Sequence, residues 1–163
     1  LQLATEMTVG SPHKGFTLLE LVVVLAIAGL FFALSGPSVR GMYDSMQYRD
    51  AVRGLYSAAK NAQRDSLASG RPVDLVINVR AKTYWISNGA GRTQSDAAPA
   101  LSKELSLDVT YAEEVSPAPG LAAIRFFPAG GSTGGEILIR RPTGAGARLS
   151  VDWLLGDVTQ EAL

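Results

Sequence analysis

The 163 residues carry fifteen basic and fifteen acidic side chains, no cysteine and a single histidine, His13. Balanced charge excludes a global field that would draw the chain to nucleic acid or anionic lipid. Without cysteine there is no disulfide framework, thiol nucleophile or cysteine metal site. With its one imidazole near the N-terminus, the body of the chain also lacks histidine for catalysis or metal binding, so no metal, cofactor or catalytic residue is expected.

The chain begins on Leu1. Either an upstream stretch precedes it or Met7 is the start, which leaves a short leader, MTVGSPHKG, with Lys14 ahead of an apolar run. That run, Phe16 to Leu34, is interrupted only by Thr17, Glu20 and Gly29. As a helix its nineteen residues span about 28 Å, close to the ~30 Å hydrocarbon core of a bilayer. A secretory signal peptide would have a shorter apolar region and a small-residue cleavage site. Here the run passes into Ser35-Gly36-Pro37-Ser38 instead. Glu20 fits neither reading, because a carboxylate near mid-bilayer costs roughly 3 kcal/mol, less near the interface. Either it snorkels to the headgroups or it has a task.

After Pro37, residues Val39, Met42, Met46, Val52, Leu55, Ala59, Ala62 and Ser66 recur at helical spacing between charged positions. This predicts an amphipathic helix to about Ser69, closed by Gly70 with Pro72 beyond. The alternating Arg and Asp residues read as its solvated face.

From Val73 the period changes to two. VDLVINV (73–79) and KTYWIS (82–87) are expected strands around a tight turn at Arg80-Ala81. LSLDVTY (105–111), AAIRFF (122–127), EILIRR (136–141) and RLSVDWL (148–154) bring the expectation to about six strands. Residues 88–100 and 112–120 are long loops. With no alternation of strand and helix, the fold class is α+β: a long N-terminal helix on an antiparallel sheet or small β-sandwich head. The glycine-rich run after Pro128 lacks the GK[ST] end of a phosphate loop and leads into strands. Asp152 and Glu136, on expected strands, are the only carboxylates considered as a catalytic pair; surface carboxylates are far commoner than such pairs, and the chain is read as a non-enzyme.

Lys14-Gly15-Phe16-Thr17-Leu18-Leu19-Glu20, followed by the apolar run, resembles the processing signature of type IV pilins and pseudopilins. The resemblance implies cleavage by a prepilin peptidase between Gly15 and Phe16 and N-methylation of Phe16. It implies that Glu20 neutralises the α-amino group of a neighbouring subunit in an assembled filament. It also implies that Pro37 kinks or locally melts the helix. The domain organisation that follows is a leader at 1–15, a transmembrane and filament-core helix at 16–37, an amphipathic helix at 38–70 and a β-rich head at 71–163.

Two further stretches, Phe126-Phe127-Pro128-Ala129-Gly130-Gly131-Ser132-Thr133-Gly134-Gly135 and Val151-Asp152-Trp153-Leu154-Leu155-Gly156-Asp157-Val158, resemble the C-terminal half of the GspH/FimT group. Within that group the resemblance favours the H-type minor pseudopilin of type II secretion, near the tip of a periplasmic pseudopilus that helps export folded proteins. The alternative is a FimT/FimU-like minor pilin of type IV pili, whose relatives can contact DNA. The implied partners are other minor pseudopilins, the major pseudopilin, the prepilin peptidase and the inner-membrane assembly platform. The implied location is the inner membrane, single-pass, with the head in the periplasm. DNA is not an expected partner: Arg140, Arg141 and Arg148 are a small basic group and the tail, DVTQEAL, is acidic. Calcium has no evident ligand cluster.

Overall fold

The computed structural model describes residues 16–88 and 98–163, leaving aside the side chains of 33–42. The chain divides into two compact units, residues 1–42 and 43–163. One helix, α1, Leu18–Ser69, is assigned through both.

In the first unit α1 starts at Thr17, whose Oγ1 accepts the Glu20 backbone N–H at 3.2 Å. The Leu21 N–H reaches the Thr17 carbonyl, also at 3.2 Å. Thr17-x-x-Glu20 is thus a helix start with an acidic residue in its first turn, where the positive end of the helix dipole favours negative charge. The helical assignment continues through Pro37. The expected kink there falls where side chains are outside the description.

In the second unit α1 ends as expected. Gly70 takes φ 66° and donates its N–H to the Ser66 carbonyl at 3.1 Å, a left-handed closure that glycine adopts without strain. The buried face is Ala51, Val52, Leu55, Ala58, Ala59 and Ala62, with Ser66 at its end. Small alanines let the sheets come close, and at Gly54 the approach is closest: an added Cβ would lie 2.3 Å from the Tyr84 hydroxyl. Met46, expected on this face, is instead 57% exposed. Val39 and Met42 lie outside the described side chains.

Seven strands follow among the described residues. β1 (Val73–Asn78), β2 (Thr83–Ser87) and β4 (Leu121–Phe126) form an antiparallel sheet in the order β2-β1-β4. β3 (Ser106–Thr110), β5 (Gly135–Arg140), β6 (Gly146–Val151) and β7 (Val158–Ala162) form a second antiparallel sheet in that order. The central strand β1 and its neighbour β4 are rich in Val, Ile, Leu and Ala, and are mostly buried. Leu75, Ile77, Ile124 and Phe126 from one sheet share a core with Ile137, Ile139, Leu149 and Val158 from the other and with the alanine face of α1. Each large side chain so buried contributes about 1.5–3 kcal/mol.

Three expectations change. The β1–β2 turn is Val79–Lys82, wider than Arg80-Ala81, with Asn78 opposite Thr83 and Lys82 at φ 54°. β6 stops at Val151, because Asp152 turns the chain. The acidic tail, not among the expected strands, is a strand, β7, with one buried residue, Val158. A strand that buries one residue carries no alternation to detect. Of loop 88–100, residues 89–97 lie outside the description; the other long loop holds a short 3-10 helix, Glu113–Val115.

One cross-strand ion pair ties the first sheet. Arg125 meets Asp74 across β4 and β1 with both guanidinium contacts, 2.7 and 2.8 Å. The hydrogen bond to Asp74 holds the Arg125 pKa above its ordinary value.

Candidate assembly site

The apolar stretch of the first unit is bare. Phe16 and Leu18 are each 83% exposed, and Leu19, Leu21, Val22, Val23, Val24, Leu25, Ile27, Leu30, Phe31 and Phe32 are exposed as well. A helix apolar on every side has no amphipathic solution against its own head; it calls for a medium or for neighbours that are apolar too. Among the described residues no helix is long and apolar enough to cross a membrane. The described apolar side chains stop at Phe32, short of the full run.

Of the sequence-derived site residues, Gly15 lies outside the described residues. Phe16 precedes the first helical turn and Glu20 sits within it, both exposed. Thr17, which sequence reasoning passed over as a mere interruption, is the side chain that starts the helix beside them. Its signal was legible: a Thr three residues ahead of a Glu before an apolar run is a capping pattern.

In the head, the two stretches that carry the family resemblance meet. β4 ends at Phe126, and the Phe127–Gly131 turn closes with Gly130 N–H to the Phe127 carbonyl (3.0 Å) and Phe127 N–H to the Gly131 carbonyl (3.2 Å). The Ser132 N–H then donates to the Trp153 carbonyl and its Oγ to the Asp152 carbonyl, each at 2.9 Å. Gly131, at φ 79°, comes so near that a Cβ would lie 2.9 Å from the carbonyl oxygens of both Trp153 and Leu154. Only glycine fits such a position.

Asp152 organises the facing turn. Its Oδ1 accepts the N–H groups of Leu154 (2.9 Å) and Leu155 (2.7 Å), and its own N–H donates to the Asp157 carbonyl at 2.8 Å. Gln63 Nε2 donates to the Leu155 carbonyl at 3.3 Å, and Lys60 pairs with Asp157 at 3.5 Å, so α1 holds the turn too. With its backbone fixed on three sides, the turn presents Trp153, Leu154 and Leu155 at 68, 62 and 65% exposure.

The candidate carboxylate pair resolves into separate structural duties. Asp152 caps this turn, and Glu136 lies 3.9 Å from Arg148. The candidate basic group is likewise dispersed. Arg141 donates to Ser45 Oγ (3.1 Å) and stacks 5.2 Å above the Tyr48 ring, and Arg148 stands 3.9 Å from both Glu136 and Glu161. Among the described residues no cluster of carboxylates or histidines could hold a metal ion.

The family model described as the prokaryotic N-terminal methylation motif matches residues 10–36. Its match covers residues just ahead of α1 and most of the apolar run of that helix. The type II secretion system protein H of Xanthomonas campestris pv. campestris is 28% identical over 145 residues, covering 89% of this chain and 81% of that protein. Two solved structures resemble the fold. One is the minor pseudopilin EpsH from the type 2 secretion system of Vibrio cholerae, with a TM-score of 0.52 and 18% identity over 72% of this chain and 96% of that one. The other is the type IV minor pilin FimU of Pseudomonas aeruginosa, with a TM-score of 0.53 and 13% identity over 74% of this chain and 92% of that one. At those identities the structures speak to the fold. The motif, the sequence relative and the fold together support a GspH-type minor pseudopilin of type II secretion.

Proposed function

We propose that this chain is a structural subunit of a type II secretion pseudopilus, held in the inner membrane with its head in the periplasm before it enters the filament. The observation that carries the reading is the methylation motif at residues 10–36 overlapping a helix whose large apolar side chains from Leu18 to Phe32 are exposed. In this reading a prepilin peptidase cuts between Gly15 and Phe16 and methylates Phe16, and Pro37 eases the helix as it leaves the bilayer. The inner-membrane assembly platform then packs it among the major pseudopilin and the other minor pseudopilins.

Filament packing explains Glu20. The new α-amino group of Phe16, buried among apolar helices, would be an unpaired cation with a prohibitive desolvation penalty. A neighbour's Glu20 supplies about 4 kcal/mol of attraction at ~4 Å and an effective dielectric of ~20, before desolvation is deducted. Thr17 fixes Glu20 in the first turn, which sets its height along the filament.

Mass spectrometry of the mature protein tests the processing step. An N-terminal peptide beginning at N-methylated Phe16 is expected; a mature chain that retains Gly15 overturns it. Glu20→Val should leave the chain in the membrane and remove it from filaments recovered by shearing or cross-linking, and unchanged incorporation would count against the pairing role.

A type IV minor pilin is the second reading, favoured by the likeness to FimU. Cross-linking in cells separates the two, since one predicts contacts with secretion pseudopilins and the other with pilus subunits. DNA contact draws little support from arginines already engaged by Tyr48, Glu136 and Glu161. A phosphate-driven contact would have to weaken steeply between low and physiological salt.

A further inference from the structure

We infer that the free edge of β7, together with the Trp153–Leu155 turn, is the head's docking strip for an extended strand of a different subunit of the same filament. The inference rests on the reading of the chain as a filament subunit and adds which surface of the head the partner meets.

The register decides which backbone groups are free. Leu163 N–H donates to the Gly146 carbonyl and Asp152 N–H to the Asp157 carbonyl, so 163 with 146 and 157 with 152 are hydrogen-bonded pairs. Such pairs alternate along an antiparallel ladder, which makes 161 with 148 and 159 with 150 the others. Val158, Gln160 and Ala162 therefore point their N–H and C=O groups away from β6. Across ~14 Å of strand they form a row of open donors and acceptors.

The first sheet treats its edges differently. Residues 99–101 cover β2, through the Thr83–Ala100 bridge and Leu101 N–H to the Lys82 carbonyl at 2.7 Å. Ser132 and Thr133 cover the end of β4, with Thr133 N–H to the Arg125 carbonyl at 2.9 Å. β7 has no such cover among the described residues, and its sequence, VTQEA, has no Lys, Pro or bulge to repel a strand. Exposed large apolar residues bracket it, with Trp153, Leu154 and Leu155 before it and Leu163 after it. The other open edge, β3, has no exposed large apolar residue directly before or after it in the chain.

Charge narrows the occupant. On the outer face Arg148 is shared at 3.9 Å between Glu136 on β5 and Glu161 on β7, which leaves an excess carboxylate at the edge. Beyond β7, the position opposite Glu161 is a non-hydrogen-bonded pair, where side chains stand closest. A Lys or Arg there completes the charge. A second copy of this chain fits worse, because antiparallel pairing about Gln160 sets the two Glu161 side chains on a diagonal some 7–8 Å apart, within reach of each other. The structure therefore points to a strand from a different polypeptide, with a basic residue opposite Glu161 and an apolar residue against the turn.

The test uses full-length chain in detergent, mixed with each co-expressed pilin-like subunit of its filament, and reads amide hydrogen exchange. Slowed exchange confined to the alternate amides of Val158, Gln160 and Ala162 is expected with one such subunit. Gln160→Pro removes a donor that β6 does not use; it should weaken the complex at least tenfold at unchanged head stability, and Glu161→Lys should weaken it severalfold. Binding that leaves those three amides unprotected overturns the inference, as does protection that appears with rising concentration of this chain alone. If Glu20→Val still abolishes incorporation while the edge stays unprotected, the filament reading stands and the docking strip falls; if no filament subunit binds and Glu20→Val changes nothing, both fall.

Discussion

Residues 16–32 and residues 43–163 are both rich in apolar side chains and use them in opposite ways. In the head, Leu55, Leu75, Ile124, Phe126, Ile137 and Leu149 are sealed from water by two sheets and a helix. In the N-terminal helix the same residue types stand uncovered on every side. The difference lies in patterning. Period-two strands and a one-sided helix face can satisfy one another within a chain, whereas an all-round apolar helix can be satisfied only from outside. One region is built to be stable alone, and the other to be stable in company.

Substitutions can test that division by separating head stability from assembly. The largest expected effect is Phe126→Ala, which empties the centre of the shared core and should lower the unfolding free energy by about 3–5 kcal/mol in urea titrations followed by tryptophan fluorescence. Gly131→Ala forces a Cβ onto the Trp153 and Leu154 carbonyls at a positive φ. It should cost about 1–3 kcal/mol, with faster exchange at the Leu154 and Leu155 amides as the local signature. Asp74→Ala breaks the bidentate pair with Arg125 and should cost about 1–2 kcal/mol, discounted because Arg125 is partly solvated.

A smaller effect concerns pH. Burial raises the Tyr84 pKa above 10.0. The unfolded chain therefore gives up this proton first, and stability present below that pH is lost as pH rises through it. Tyr84→Phe should flatten that alkaline slope in pH-dependent melting. Smallest of all on the head is Leu25→Ser, expected within about 0.5 kcal/mol by denaturation yet defective in filament incorporation. A head destabilised by Leu25→Ser would erase the contrast.

Much of this was legible in the residues. Gly70 after a helical period, the β-branched runs of β1 and β5, and the apolar run with its lone Glu20 each announce their element by local chemistry. The α+β class followed from the order of those periods. What stayed hidden depends on partners distant in sequence. β7 is a strand because β6 offers it a ladder, Met46 is exposed because the buried face of α1 is set by where the sheets lie, and Asp152 is a turn cap rather than a strand residue. The two motifs around Gly131 and Trp153 were visible separately; that they bind each other was not, since the bonds run from Ser132 to the carbonyls of Asp152 and Trp153.

Ser66 has a mechanical consequence. Its buried hydroxyl lies 2.9 Å from the Phe126 carbonyl and 3.0 Å from that of Arg71, and it owns one proton for two acceptors. The joint between the last turn of α1 and the end of β4 is thus a toggle with a single bolt. Within the head, the last turn of α1 is tied to the first sheet through that hydroxyl and the alanine face beside it. Ser66→Ala removes the bolt and takes that donor from both carbonyls, so the joint between helix and sheet would be the first part of the head to loosen.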